Sequence, residues 1–396
     1  MIGARSSARW LVPQSFIFVT VFVDMLGYGI VIPLLPIYAG RLAAGGTLVG
    51  LLGSLYALAQ SAGGPVLSGM SDQYGRRPVL LVSLLGTTLA YLLLGVAGSL
   101  WLLAAAILLD GITGGNISTA QAYIADSTDA DRRSRGFAAT GAAFGLGMMA
   151  GPALGGLLIR YGLSVPVFVA AAIAGANTLL GLLLLPESLA PEHRARRRLA
   201  DLNPARQLAA ALRPGSLRGL LLTILLLNLA FSGLQSNFPL FSRARFGWQA
   251  ADNAFFYAFV GTCAVATQAV ALGWLRPRLG ERRLALGGLA LMAANLGLVA
   301  VAGRGWMLFP IVALLALGSN LSIPCLTSML SARVAPGGQG QLMGSMQIVI
   351  NLALVGGPLL AGLSFDYLGD AAPYALGSLV ALAALWAGAR ATKTTL

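Results

Sequence analysis

The sequence has few charged residues, and they are unevenly placed. Only 10% of its 396 residues are charged and 57% are hydrophobic, whereas a soluble domain carries about 25% charged residues. It has 26 lysines and arginines against 13 acids, a net charge of +13. The basic residues lie in short segments between long apolar runs, as membrane topology signals do. We therefore predict a protein of the lipid bilayer with no nucleic-acid partner.

Cysteine and histidine are nearly absent. Cys263 and Cys325 lie in separate apolar runs, and the single histidine, His193, lies in an arginine-rich stretch. These residues provide neither a disulfide framework nor the ligand spacing of a metal site. An intramembrane enzyme would need a nucleophile with a base, or metal ligands, inside the membrane. We therefore expect no metal, no cofactor and no enzymatic activity.

Twelve apolar runs are long enough to cross a bilayer, which takes about 20 helical residues. A longer polar stretch separates the sixth run from the seventh. We predict an all-α membrane protein with a six-helix bundle over 1–185, a cytoplasmic linker over 186–216 and a second six-helix bundle over 217–396. The predicted spans are 14–38, 47–69, 78–98, 101–125, 134–159, 163–185, 217–241, 250–273, 283–302, 306–331, 339–363 and 371–391.

The distribution of lysine and arginine predicts the orientation. If the amino terminus is inside, the inner loops and both tails hold 21 of these residues and the outer loops hold five. Cytoplasmic loops carry such an excess of basic residues. We expect a multi-pass protein of the plasma or inner membrane with both termini in the cytoplasm.

The two halves of the sequence repeat each other. Gly151–Pro152 and Gly357–Pro358 are 206 residues apart, and the polar stretch 69–77 has a degenerate counterpart in 273–283. Such a repeat implies two bundles related by duplication, with a binding site between them near the middle of the membrane. A channel or a scaffold protein would not need this repeat.

Two acids, Asp24 and Asp110, lie deep inside the apolar runs. An acid at the centre of a membrane helix costs about 3 kcal/mol on insertion scales, so it is rarely there without a function. Asp24 and Tyr28 are one turn apart, and Asp110 shares a helix face with Thr113 and Gln121. Two acids in one cavity do not both ionise readily, which suits a proton carrier. The alternative is that either acid stays protonated, or faces a water-filled cleft, without any coupling role.

The polar loop after the second span reads GMSDQYGRRPVL. Gly75 permits a tight turn, and Arg76 can pair with an acid, for which Asp126 is the predicted partner. The loop resembles the signature loop of the major facilitator superfamily, whose fold is twelve helices in two six-helix halves. The resemblance implies a latch that closes the cytoplasmic side in the outward-open state. The alternative is a simple basic topology signal. The matching residues are Gly69, Asp72, Gly75, Arg76 and Arg77.

The predicted fifth span contains GAAFGLGMMAGPALGG. Gly147, Gly151 and Gly155 recur at every fourth position and form a stripe for close helix contact. Pro152 removes a backbone hydrogen bond and bends the helix. The stretch resembles the antiporter motif of the proton-driven efflux branch of that superfamily. The alternative is helix packing with no bearing on the direction of transport.

Two further stretches, FVDMLGYGIVIPLLP and LLDGITGGNISTAQAYIADST, resemble tetracycline efflux pumps, which are drug:proton antiporters. The resemblance runs to about Pro186 and is weaker afterwards. It implies that Asp24 is the acid required for proton-coupled export and that Gln60 contacts substrate, although such a glutamine is as often a helix–helix contact. One position departs from the family: Ile107 stands where these pumps carry a membrane arginine, and Asp110 follows three residues later. The coupling mechanism therefore cannot carry over unchanged.

The second half has no deep acid or base, but it offers amide side chains that could bind a substrate or join helices. We predict substrate contacts from both halves. They are Tyr28, Gln60, Thr113, Gln121, Asn228, Gln235, Asn320, Gln347 and Asn351.

The sequence therefore predicts a monomeric secondary transporter that exchanges a small amphipathic compound for protons by alternating access. The deep charges are all acidic, and an anionic substrate would need a cation to bind it. Cationic, zwitterionic or neutral substrates such as drugs fit better. The alternative is a transporter of lipids, lysolipids, sugars or other metabolites with the same fold and without the same proton coupling.

Overall fold

The structure is a computed structural model, and all regular structure in the residues it describes is helical. These residues are 3–42, 45–114, 117–127, 140, 143, 145–147, 150–194, 215–334 and 339–392. The helices are α1 (Gly3–Arg41), α2 (Gly46–Tyr74), α3 (Arg76–Gly95), α4 (Leu100–Thr113), α5 (Ile117–Ser127), α6 (150–158), α7 (Val165–Leu184), α8 (Gly215–Phe246), α9 (Ala250–Ala266), α10 (Leu272–Val301), α11 (Leu308–Ser331), α12 (Gln339–Leu368) and α13 (Ala372–Ala391).

The helices have the length and composition of membrane spans. Eight of the described helices are long and apolar enough to cross a membrane, and α4 is apolar but shorter. Helices suit these apolar runs because lipid offers no partner to the backbone, so each amide must be satisfied within its own segment. The predicted all-α membrane fold is confirmed. Most of the predicted fifth span lies outside the described residues.

The fourth predicted span is broken. α4 ends at Thr113, where the Gly114 N–H donates to the Asp110 carbonyl at 2.6 Å, and α5 begins at Ile117. Glycine is a weak helix former. In addition, the Ser83 hydroxyl donates to the Thr113 carbonyl and occupies an acceptor of the final turn. The single helix predicted over 101–125 is therefore two helices in the structure.

The chain divides into two compact units. The first contains Met1–Leu34 and Leu55–Leu202, and the second contains Leu35–Ser54 and Asn203–Leu396. The end of α1 and the start of α2 thus belong to the second unit, whereas the sequence places them in the first bundle. The predicted bundles and the linker between them stay predictions.

An acid on α12 holds the start of α2 within the second unit. The Asp366 carboxylate accepts hydrogen bonds from the backbone N–H of Gly46 at 2.8 Å and of Thr47 at 2.7 Å. A carboxylate is a favourable partner there because the first amides of a helix lack an intrahelical acceptor. The Ser54 hydroxyl adds a hydrogen bond of 2.6 Å to the Val355 carbonyl.

Each unit has its own core. In the first unit, α1, α3 and α5 pack around Ile17, Leu80 and Tyr123, all of which are fully buried. In the second, an aromatic cluster joins α8 to α9, where the rings of Phe238 and Phe256 stack with their centres 4.4 Å apart.

Candidate functional site

Asp24 on α1 and Asp110 on α4 lie in the first unit, close enough for their charges to interact. Asp110 is buried, with 8% of its surface exposed, and Asp24 is half-buried. Gly111 lets α4 approach α2, since a Cβ there would lie 2.8 Å from the Tyr56 carbonyl oxygen. The structure thus brings together the two acids that the sequence singles out, and we call them the acid pair.

Three tyrosines surround the acid pair, and we call Tyr28, Tyr56 and Tyr91 the tyrosine cluster. The rings of Tyr28 and Tyr56 have centres 5.7 Å apart and planes tilted by 45°. A Cβ on Gly114 would lie 3.5 Å from the Tyr56 hydroxyl oxygen, so this hydroxyl lies beside the end of α4. The sequence analysis singled out only Tyr28, because the other two are brought here by helix packing.

Glycine makes room for Tyr91. A Cβ on Gly27 would lie 2.6 Å from the Tyr91 hydroxyl oxygen, so the hydroxyl end of that side chain rests directly against α1. Gly27 is three residues after Asp24 and therefore on the same helix face. This close contact places the hydroxyl beside the first acid of the pair.

The other three predicted polar contacts of the first unit have different surroundings. The Gln60 side chain is half-buried and donates to the Tyr56 hydroxyl at 3.3 Å, so it joins the tyrosine cluster. The Thr113 hydroxyl is bound to the Leu109 carbonyl of its own helix at 2.8 Å. Gln121 is exposed on α5, beyond the break in the fourth span. Its role as a substrate contact, on one helix face with Asp110, stays a prediction.

The amides of the second unit bind mainly to their own helices. Asn228 and Asn320 each donate to the carbonyl four residues earlier, both at 2.8 Å. Gln347 donates to Asn351 at 3.0 Å along α12. Gln235 is half-buried, and its backbone carbonyl accepts a hydrogen bond from a tyrosine. Their role as substrate contacts stays a prediction.

The loop between α2 and α3 forms a buried charge network. Arg76 has only 7% of its surface exposed. Its guanidinium lies 2.5 Å from Asp72 and 2.8 Å from Asp126, and it also donates to the Ser71 hydroxyl at 2.7 Å. The structure thus brings Arg76 to the acid on α5 that the sequence names as its partner. An arginine held by two carboxylates can fix the ends of α2, α3 and α5 together.

A residue that the sequence analysis missed completes this network. The Glu187 carboxylate accepts hydrogen bonds from the backbone N–H of Arg76 at 2.9 Å and of Arg77 at 3.2 Å. It therefore caps α3, which no side chain of its own segment caps. Gly75 allows this approach through its positive φ of 108°, and a Cβ there would lie 2.9 Å from the Glu187 carboxyl carbon.

Arg77 and Gly69 also belong to the motif of the loop between α2 and α3, but they lie outside the hydrogen bonds that the Arg76 side chain makes with the described residues. Arg77 donates from its guanidinium to the Leu182 carbonyl at 2.8 Å, which ties α3 to α7. Gly69 lies near the end of α2 and is half-buried.

The glycine stripe of the fifth span packs against α1 next to Asp24. A Cβ on Gly147 would lie 2.7 Å from the Phe22 carbonyl oxygen, and one on Gly151 would lie 2.8 Å from the Cα atom of Gly29. Pro152 contacts the same glycine of α1, whereas Gly155 has ordinary spacing to Ile30. The stripe therefore fixes the helix that carries the first acid.

A known family matches most of this chain. The sequence pattern described as Major Facilitator Superfamily matches residues 17–358. The chain belongs to the major facilitator superfamily. It is 38% identical to the tetracycline resistance protein, class C, of Escherichia coli over 347 residues, which cover 86% of both chains. These matches confirm the resemblance of the sequence to the major facilitator superfamily and to tetracycline efflux pumps.

Solved structures of the superfamily agree with this assignment. The human organic anion transporter MFSD10 (TETRAN) has 25% sequence identity and a TM-score of 0.72, with 96% of this chain and 99% of that chain covered. The nucleoside transporter NupG has 12% identity and a TM-score of 0.76 with the same coverage. The second of these shows a shared fold only. Membership of the superfamily indicates transport of a small molecule rather than enzymatic catalysis.

Proposed function

We propose that this chain is a proton-coupled exporter of small amphipathic compounds that are cationic, zwitterionic or neutral, and that it works as a monomer by alternating access. The observation that carries the proposal is the presence of two acids, Asp24 on α1 and the buried Asp110 on α4, in the apolar helices of one unit. Residues 15–40, 46–75 and 78–127 contain no lysine or arginine. The acid pair is therefore placed to exchange a proton for a cationic group, and it disfavours anions.

The relatives support the direction of transport. Several of them are named tetracycline resistance proteins, and the chain carries an acid at the first-span position of that group. The arginine of the fourth span is replaced by Ile107, which is buried in an apolar setting. We propose that Asp110 takes part in the proton relay in place of this arginine, with Asp24 as the obligatory carrier.

The buried network around Arg76 supports the latch proposal. It joins the ends of three helices at the side that we propose to be cytoplasmic, so breaking it would alter closure of that side. The basic loops support the same orientation. A reporter that works only in the cytoplasm should be active when it is fused after Leu396, and activity of a periplasm-only reporter there would overturn the orientation.

Transport by inside-out vesicles tests the function. We expect a proton gradient to drive uptake of tetracycline into vesicles that contain the unaltered chain. Asp24→Asn should abolish this uptake, whereas Asp110→Asn should reduce it or shift its pH optimum. Glu192→Gln, a change at an exposed acid, is the matched control and should have no effect.

Three outcomes would contradict the proposal or part of it. Uptake that ignores the gradient would remove proton coupling and favour the alternative of a lipid, lysolipid, sugar or metabolite transporter. Full activity of the Asp24→Asn variant, with none in Asp110→Asn, would make Asp110 the carrier. Counterflow of labelled substrate is expected of any carrier, so its absence would exclude transport of that substrate altogether.

A further inference from the structure

Arginines from several parts of the second unit meet at the carboxyl end of α13. The Arg282 guanidinium on α10 donates to the Thr392 hydroxyl at 3.2 Å. The Arg333 guanidinium, which follows α11, donates to the Ala391 carbonyl at 2.9 Å. The last carbonyls of a helix attract cations, so the end of α13 accounts for these two arginines. It does not account for Arg390, which lies on α13 itself and is exposed.

A tryptophan holds Arg390 against the outer surface of α13. The guanidinium carbon of Arg390 lies 3.8 Å from the centre of the Trp386 ring, since residues four apart on a helix are neighbours. The tryptophan is 58% exposed. Tryptophan is enriched at the level of the lipid headgroups in membrane helices. The pair therefore presents a fixed positive charge at that level.

An exposed apolar stripe leads along α13 to this pair. Leu379 and Leu382 are 61% and 49% exposed, and they lie on the same helix face as Trp386. In a membrane helix, such a face contacts the acyl chains of lipids. The surface of α13 thus presents an apolar stripe, then an indole ring, then a guanidinium. This order matches the acyl chain, the interface and the headgroup of a phospholipid.

α10 brings a second exposed arginine to the same level. A Cβ on Gly388 would lie 3.4 Å from a methyl carbon of Leu286, so the end of α13 packs against the part of α10 that follows Gly280. Arg283 lies at the start of that part and is exposed. Arg283 and Arg390 are therefore two exposed cations at one level of two neighbouring helices.

The acids in the described part of the second unit do not neutralise these two arginines. Residues 215–334 and 339–392 contain four acids. Asp252, Asp366 and Asp370 lie towards the opposite ends of α8 and α13, and Glu281 forms an ion pair with Arg276. Among the described residues, no carboxylate pairs with either exposed arginine. Their charges are therefore available to an anionic group from outside the chain.

We propose that Arg283 and Arg390, with Trp386, bind the headgroup of an anionic phospholipid such as phosphatidylglycerol, whose acyl chain lies along the apolar stripe of α13. The inference goes beyond the proposed function, because this lipid stays bound and is not the exported compound. Anionic lipids attract basic clusters on the cytoplasmic side of a membrane, the side that we propose for this end of the unit. A zwitterionic lipid carries a cation that the arginines would repel.

Native mass spectrometry of the purified full-length chain tests the inference. The chain in detergent is mixed with equal amounts of phosphatidylglycerol and phosphatidylcholine that have the same acyl chains, and the copies of each lipid that stay bound are counted. We expect phosphatidylglycerol to be bound in excess. Glycerol 3-phosphate should not displace it, because this soluble phosphate has no acyl chain to contact the apolar stripe.

Substitutions then test the named residues. Arg390→Gln and Arg283→Gln should each weaken phosphatidylglycerol binding by about 5-fold, the contribution of one arginine at an anionic surface. Trp386→Leu keeps an apolar side chain but removes the ring that holds the guanidinium, and should weaken binding by about 2- to 5-fold. The matched control is Arg160→Gln, which changes an exposed arginine that lies over the Tyr161 ring. It should leave binding unchanged.

Equal binding of the two lipids, displacement by glycerol 3-phosphate, normal binding in both Arg283→Gln and Arg390→Gln, or an equal loss in Arg160→Gln would each overturn the inference. The comparison of the two lipids uses the unaltered chain, so it remains decisive even if a variant does not fold. A chain that prefers phosphatidylglycerol through these arginines but shows no proton-driven uptake keeps the inference and loses the proposed function. Proton-driven uptake without this preference has the opposite meaning.

Discussion

The loop between α2 and α3 and its counterpart in α10 share a backbone turn, but the residue that follows the turn has the opposite charge. Gly75 and Gly280 both have positive φ, 108° and 75°, and each is followed by a charged residue. In the first unit this residue is Arg76, paired with an acid four residues earlier. In the second it is Glu281, paired with an arginine five residues earlier. The turn has a glycine in both loops, but a charge of either sign can follow that glycine.

The partners of these charged residues differ in a consistent way. Arg76 binds Asp126, whereas Glu281 accepts a hydrogen bond from the Ser328 hydroxyl at 2.7 Å. A hydroxyl therefore lies beside Glu281 in the second loop, where a carboxylate lies beside Arg76 in the first.

A polar residue follows the last helix of each unit. In the first unit it is Glu187, which caps α3. In the second it is Thr392, whose hydroxyl accepts from Arg282 at 3.2 Å.

Burial separates the two loops as clearly as charge does. The Arg76 side chain is 9% exposed, and that of Arg276 is 55% exposed. Exposed ion pairs contribute about 0–1 kcal/mol, since water and salt screen them. Removing one partner of a buried network costs several times more, because the remaining charges are left without compensation. We therefore expect the first loop to contribute more than the second to the free energy of unfolding and to transport.

The largest expected difference concerns the two arginines. Arg76→Met leaves two carboxylates facing each other, and loss of a partner from a buried ion pair costs about 3–5 kcal/mol. Arg276→Met should cost no more than about 1 kcal/mol, as for other exposed pairs. The apparent melting temperature of each purified variant checks the stability and uptake by vesicles checks the latch. Equal losses in both variants would remove the distinction between the two loops.

The two glycines should differ less. Alanine at either position is forced into a backbone region that costs about 1–3 kcal/mol. At Gly75 its methyl group would also displace the carboxylate of Glu187, whereas at Gly280 the described residues, apart from its own neighbours in the chain, place no atom within 4 Å of it. Gly75→Ala should therefore lower the melting temperature more than Gly280→Ala. The reverse order would show that the capping contact contributes little.

The fold was predictable because the apolar runs and the repeat spacing are local properties of the sequence. The approach of Arg76 to Asp126 could be foreseen, since the ends of adjacent spans on one membrane side lie close together. The break after Thr113 was not foreseen, because it depends partly on a hydroxyl donated from α3. The sequence pattern along one helix does not show which side chain of a neighbouring helix will donate a hydrogen bond to its backbone carbonyls.

The tyrosine cluster shows the same limit at the site. Asp24 and Asp110 stand out because an acid is costly in an apolar run. Tyr91 does not, since a tyrosine in a membrane helix is unremarkable, and its place is set by contact with Gly27 on another helix. The glycine three residues after a membrane acid was the available signal, and only the structure shows which side chain fills the space.

The caps that follow each half are expected to have a smaller effect. Glu187→Gln keeps the shape of the side chain but weakens its bonds to the first amides of α3, and loss of a cap costs about 1 kcal/mol. Thr392→Val removes a hydroxyl that accepts from Arg282 and donates to the Gly388 carbonyl of its own helix, and it should cost less because neither contact involves a carboxylate. Melting temperatures of the two variants check the order. A larger loss from Thr392→Val would mean that the second unit depends more on its cap than the first.

The smallest expected effect tests whether charges and partners must change together. In the unaltered chain Glu281 accepts a hydrogen bond from the Ser328 hydroxyl. Ser328→Asp replaces that donor with a carboxylate beside Glu281. The repulsion should cost about 0.5–1 kcal/mol, since the site is partly exposed and screened. Adding Arg276→Asp and Glu281→Arg reproduces the charges of the first loop, with an arginine between two acids, and should recover the lost stability. If the triple variant melts lower than Ser328→Asp alone, the backbone of the second loop is not equivalent to that of the first, because the same charges would then fail to find the same partners.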